Sequence, residues 1–94
     1  MNANDIIIRP VISEKSTELM ESRKYVFQVA RDANKLMITR AMKELFNVTP
    51  EKVNIINMRG KNRRLRYRMG KRAAWKKAIV TLAIGQKIEI FEGQ

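Results

Sequence analysis

The sequence predicts a small α+β domain: a mostly antiparallel four-stranded sheet with helices packed on it and a long basic hairpin extension. Three observations lead there. Strand-like and helix-like patterns alternate along the chain in the order β-α-β-α-β-β. The last two strand patterns follow one another with no helical pattern between them. They are separated instead by residues 59–77, where ten of nineteen residues are Lys or Arg and none is acidic. The other seventy-five residues hold ten basic and nine acidic side chains, so this one stretch carries almost the whole net charge of +11.

The first strand pattern is Ile6-Ile7-Ile8, ending at Arg9-Pro10. Proline cannot donate to a ladder, which points to an edge strand. Ser13 is placed to cap a helix beginning at Glu14, whose charge suits a helix N-terminus. That helix is expected to run to about Ser22 with Leu19 and Met20 turned inward. Lys24 to Ala30 is rich in β-branched and aromatic residues, with Tyr25, Phe27 and Val29 on one face. After the polar turn Arg31-Asp32-Ala33-Asn34, with Asn34 as N-cap, Ile38, Ala41, Met42, Leu45 and Phe46 fall on one helical face. Asn47 to Pro50 ends that helix. Lys52 to Met58 reads as a strand, with Val53 and Ile55 on one side and Ile56 and Met58 on the other. Trp75 to Ala83 reads as the last strand, with Ala78, Val80 and Leu82 facing the core, and Gly85 breaks it. Ile88 and Ile90 alternate in a short tail.

Ninety-four residues with 45% apolar content make one domain, residues 1–94, with a small core of its own. There is no Cys and no His, which removes thiolate chemistry and leaves only scattered carboxylates for metal. No cofactor and no small-molecule substrate are expected. The longest apolar run is far shorter than a membrane span, and the first residues lack the basic start and apolar core of a signal peptide. The expected location is the cytoplasm, with no membrane partner. A sequence pI of about 10.6 calls for a polyanion.

A stretch as charged as 59–77 cannot bury itself in an apolar core, because unpaired buried charge is too costly. Leu65, Tyr67 and Met69 alternate with Arg64, Arg66 and Arg68, the period of a strand, and Gly60 and Gly70 punctuate the segment. An extended hairpin is therefore expected, with about 8 residues per arm and a reach of roughly 25 Å. Six of its ten cations are arginine, which forms forked hydrogen bonds with phosphates. Tyr67 and Trp75 are aromatics of the kind that stack on unpaired bases, though a packing role suits Trp75 equally well. The candidate RNA-binding residues are Arg59, Lys61, Arg63, Arg64, Arg66, Tyr67, Arg68, Lys71, Arg72, Trp75, Lys76 and Lys77. Nothing in the stretch offers a catalytic residue: a nuclease would need a His or a pair of acids beside the cations. A free-standing RNA-binding regulator fits the same charge pattern.

Arg9-Pro10-Val11-Ile12-Ser13-Glu14-Lys15-Ser16, Val29-Ala30-Arg31-Asp32-Ala33-Asn34-Lys35, Leu45-Phe46-Asn47-Val48 and Val53-Asn54 are followed by Gly60-Lys61, Arg63-Arg64 and Gly70-Lys71-Arg72. Then comes Trp75-Lys76-Lys77-Ala78-Ile79-Val80-Thr81-Leu82. In these motifs, from about Ile6 to Gln86, the chain resembles the bacterial-type uL23 family of large ribosomal subunit proteins. The resemblance implies a four-stranded sheet whose last strand pairs between the second and third. It implies binding to large-subunit rRNA near the peptide exit tunnel, among neighbouring ribosomal proteins and close to the nascent chain. It also implies a docking site for trigger factor and the signal recognition particle. Glu14 matches the Glu of the family's Ser-Glu-Lys motif that contacts trigger factor, and Phe46 matches a second docking residue. Asn47 stands where some members carry an acid.

Overall fold

The computed structural model describes residues 2–58, the backbone of 63–65 and 68–70, and residues 75–89. Its regular elements are α1 (Ala3–Ile6), β1 (Ile7–Pro10), α2 (Glu14–Glu21), β2 (Lys24–Val29), α3 (Lys35–Phe46), β3 (Pro50–Met58), β4 (Arg63–Leu65), β5 (Arg68–Gly70) and β6 (Trp75–Leu82). Four strands form one sheet in the order β1-β2-β6-β3, and every pairing is antiparallel. The last strand thus lies between β2 and β3, as the resemblance implies. β4 and β5 form a separate two-stranded ladder.

Each helix starts on a side-chain cap that satisfies backbone N–H groups left without an intrahelical partner. The Asn34 side chain accepts from the Met37 N–H at 2.9 Å at the head of α3. At α2 the Ser13 hydroxyl accepts from the Ser16 N–H at 3.1 Å, while the Ser16 hydroxyl accepts from the Ser13 N–H at 2.7 Å. This reciprocal cap replaces the usual Glu or Gln with a serine and explains why Ser16 is buried. α3 ends on Asn47, whose φ of 56° turns the chain into the left-handed region and whose N–H donates to the Lys43 carbonyl at 3.0 Å.

The N-terminus departs from expectation. Ile6 belongs to a one-turn helix, α1, capped by Asn2, and β1 begins only at Ile7. Three consecutive isoleucines suit a strand by propensity, but the Asn2 side chain captures the Asp5 N–H and starts a turn that buries Ala3 and Ile6. β3 begins two residues earlier than expected, at Pro50, through an irregularity between Pro50 and Lys52. Around Ile88 the chain has no regular element, and Ile90 lies outside the described residues. Ile88 is nonetheless buried, and its N–H donates to the Tyr25 hydroxyl at 3.4 Å.

One face of the sheet is covered. Phe27 and Val29 of β2, Val53 of β3, and Ala78, Val80 and Leu82 of β6 pack against Ala3 and Ile6 of α1 and Ile38, Ala41 and Met42 of α3. Met20 of α2 and Leu45, Phe46 and Ile55 pack against the same cluster from positions that stay half-buried. Leu19 is half-buried as well. Burial of these apolar groups, at about 25 cal/mol per Å², is the main force holding the helices to the sheet. The opposite face is less covered: along the central strand β6, Trp75, Lys77, Ile79 and Thr81 remain half-buried while Ala78, Val80 and Leu82 vanish from solvent, although Val26 of β2 is buried on that face. A helix layer on both sides would bury alternate residues equally.

Candidate nucleic-acid interface

The basic stretch springs from the edge strand β3 and its inner neighbour β6. β3 and β6 pair from Lys52↔Thr81 to Met58↔Trp75. Further along the same two arms, β4 and β5 pair as Arg63↔Gly70, Arg64↔Met69 and Leu65↔Arg68. Four residues, 59–62, separate the ladders on one arm, and four, 71–74, on the other. The two ladders therefore share a single register, which is what the expected hairpin requires. Each of the rungs Arg64↔Met69 and Leu65↔Arg68 couples a basic with an apolar position. Arg59, Lys61, Arg66, Tyr67, Lys71 and Arg72 lie outside the described residues, and Arg63, Arg64 and Arg68 are placed by their backbone alone.

At the root of the hairpin the β6 alternation separates residues that the sequence groups together. Trp75 and Lys77 project from the uncovered face, in register with Met58 and Ile56. Lys76 projects to the helix side, where its ammonium donates to the Ala33 carbonyl at 3.0 Å, just before the Asn34 cap. Lys76 thus has a structural partner inside the fold. Trp75 is half-buried and lies in register with Met58.

The register also gathers cations the sequence did not single out. Arg9 pairs with Gln28, which pairs with Lys77; Lys24 and Lys52 both pair with Thr81. Arg9, Lys24 and Lys52 are exposed and share the uncovered face with Lys77. The Arg9 Nε donates to the Gln28 side-chain oxygen at 2.8 Å, which orients the guanidinium along the sheet. A period-two count would have put each of these residues on the polar side of its strand. Strand order alone brings them together.

Glu14 is exposed in the first turn of α2, directly after the Ser13 cap. Phe46 is half-buried at the end of α3, its ring 5.5 Å from that of Phe27 and tilted by 34°. Met20 of α2 and the apolar stripe of α3 pack on one cluster. Among the described residues no group of three His, Cys, Asp or Glu could hold a metal ion, and no helix is long and apolar enough to cross a membrane.

The family profile described as Ribosomal protein L23 matches residues 5–90. The large ribosomal subunit protein uL23 of Treponema denticola is 55% identical over 93 residues, covering 99% of each chain. That of Herpetosiphon aurantiacus is 56% identical over 96 residues, covering 98% of each. That of Thermotoga petrophila is 49% identical over 94 residues, covering all of this chain and 94% of its own. These relatives bear the name of a ribosomal protein and not of an enzyme. With full-length identity of this order, and with the strand order β1-β2-β6-β3 that the motifs implied, the chain belongs to the ribosomal protein L23 family.

Proposed function

We propose that the chain is a structural constituent of the large ribosomal subunit. It binds large-subunit rRNA near the peptide exit tunnel, and it provides a docking site for trigger factor and the signal recognition particle where the nascent chain emerges. The observation that carries the rRNA reading is the concentration of ten cations and no acid in residues 59–77, on two arms whose ladders share one register. Charge of that density is tolerable only in water or against a polyanion. Arginine forks neutralise phosphates, releasing counterions, and the paired backbone of the arms fixes the spacing at which the forks are offered.

Family membership supports the ribosomal setting, and the exposure of Glu14 supports docking. Phe46 lies on the α3 side of the sheet, while Trp75 and Lys77 leave from the other face, so the ring and the hairpin root have separate surfaces to offer. The test is binding of the whole protein to bacterial large-subunit rRNA and to an unrelated RNA of equal length, across a salt series. Selective binding that survives moderate salt is expected. Equal affinities that collapse together with salt would reduce the hairpin to an electrostatic tether. Co-sedimentation with large subunits separates the ribosomal reading from a free-standing RNA-binding regulator.

A further inference from the structure

β1 and β3 are the two edges of the four-stranded sheet, and they are not equally protected. An edge strand offers a row of unpaired N–H and C=O groups to any second strand, and charge, proline or a bulge is what discourages pairing. β1 has all three: Arg9, Pro10 and the register shift between Ile7 and Arg9. β3 has them only at its start, where Pro50, Glu51 and Lys52 surround a second irregularity. From Val53 to Met58 it reads Val-Asn-Ile-Ile-Asn-Met, with no charge, no proline and no glycine. That is the composition of a segment that pairs with copies of itself. Among the described residues its backbone bonds only to β6, and Asn54, Ile56 and Asn57 are exposed.

We propose that the β3 edge is a self-association surface: in the chain free of RNA, two copies pair antiparallel along β3 into one eight-stranded sheet. The register that fits is centred on Ile55, which faces Ile55 of the second copy. Val53 then faces Asn57, Asn54 faces Ile56, and Lys52 faces Met58. Each pair joins residues of the same parity along the strand, so its two side chains share one face and outward-pointing backbone groups meet their like. No pair sets like charges opposite one another. Ile55 already packs against the core cluster, so the central pair continues that apolar layer from one copy to the next. The exposed Ile56 side chains become diagonal neighbours on the other face.

A net charge of +11 opposes any dimer, and this geometry keeps the charge apart. Antiparallel pairing sends the two basic stretches off opposite ends of the joined strands. The two Met58 positions from which they leave stand six rungs apart, about 20 Å, more than two Debye lengths at physiological salt. Pairing also stops at two chains, because the edges left over are the two protected β1 strands. The contact is a closed two-fold one, the same patch on both copies. It is smaller than a standard interface, so one-chain and two-chain forms should exchange readily and in proportion to concentration.

Sedimentation velocity on the whole protein, freed of RNA by nuclease, tests it across a concentration series at low and moderate salt. The average sedimentation coefficient should rise with concentration towards that of two chains, and more steeply at moderate salt, where repulsion is screened. A single-chain species at every concentration overturns the proposal and leaves the edge to a strand of another protein. Association that weakens with salt is bridging by residual RNA and overturns it as well. Ile56→Lys, at an exposed position, should weaken the dimer by about tenfold, with circular dichroism and the denaturation midpoint at parental values. An undiminished dimer in that variant places the contact elsewhere. The chain has no Cys, so Ile55→Cys sets one thiol per copy beside the two-fold axis, within disulfide reach of its mate. It should cross-link two chains in a glutathione redox buffer. Asn57→Cys is more exposed but lies four rungs from its mate, and should not. Cross-linking through Asn57→Cys and not through Ile55→Cys overturns the register.

Discussion

Arg23 and Leu82 are joined twice: the Arg23 guanidinium donates to the Leu82 carbonyl at 2.9 Å, and the Leu82 N–H donates to the Arg23 carbonyl at 2.9 Å. Arg23 holds this position at φ 62°, in the left-handed region, as the chain leaves α2 and enters β2. It thereby fastens the end of the central strand to the helix layer. Arg23→Ala should cost about 1–2 kcal/mol in urea denaturation, from the lost charged hydrogen bond. Arg23→Gly removes the same bond but fits the backbone, so it should be more stable than the alanine variant by about 1 kcal/mol. The reverse ranking would show that backbone strain at Arg23 is negligible.

Adjacent lysines at the hairpin root should respond differently. Lys76→Ala removes the bond to the Ala33 carbonyl and should lower stability by about 1 kcal/mol with little change in the salt slope of RNA binding. Lys77→Ala, on the uncovered face, should lower the slope by about 0.8 and leave the denaturation midpoint in place. Identical effects from the two would contradict the alternation along β6.

Arg63, Arg64, Arg66 and Arg68 changed together to alanine should reduce the salt slope for large-subunit rRNA by about 3. The far-ultraviolet circular dichroism of the four-stranded sheet should persist, since none of these residues lies in it. A parental slope would show that the hairpin cations do not meet phosphate.

Phe46 has both a packing partner and a proposed partner outside the fold. Phe46→Ala forfeits the ring contact with Phe27 and part of a half-buried side chain, a loss of about 2 kcal/mol. Phe46→Leu should recover most of it. Trigger factor recruitment to ribosomes is therefore best measured on the leucine variant. Weakened recruitment at near-parental stability assigns the ring to docking, whereas parental recruitment confines it to the core.

Glu14→Ala should cost only about 0.5 kcal/mol, the worth of an exposed acid in a first helical turn. Binding to rRNA should not change. Ribosomes carrying the variant should recruit less trigger factor, and equal recruitment would leave Glu14 with its helix-start role alone.

Much of the fold was legible because two periodicities were strong. The stripe Ile38, Ala41, Met42, Leu45, Phe46 has no competing explanation, and alternation at Ala78, Val80 and Leu82 survives intact in the buried face of β6. α1 was hidden because Ile6-Ile7-Ile8 reads as strand until the Asn2 side chain starts a helical turn. Val26 shows the limit of alternation: it is buried although it lies opposite Tyr25 and Phe27, with Ile79 beside it and the Val11 N–H bonded to its carbonyl at 2.9 Å. The basic hairpin was legible as charge, but the gathering of Arg9, Lys24 and Lys52 with Lys77 was not. These residues are distant in sequence, and only the pairing of β2 with β6 and β6 with β3 makes them neighbours.

The position of β6 between β2 and β3 also constrains how the protein comes to exist. Its two neighbours are both made earlier, and neither pairs with the other, so until Trp75–Leu82 is available each presents a bare row of amides and carbonyls. Such rows are templates for unwanted pairing. The sheet therefore closes in one late, long-range step, and α3 gains its full apolar floor only when Ala78, Val80 and Leu82 arrive. Folding dominated by distant contacts is slow. A chain interrupted before β6 should be an aggregation-prone fragment rather than a smaller version of the domain.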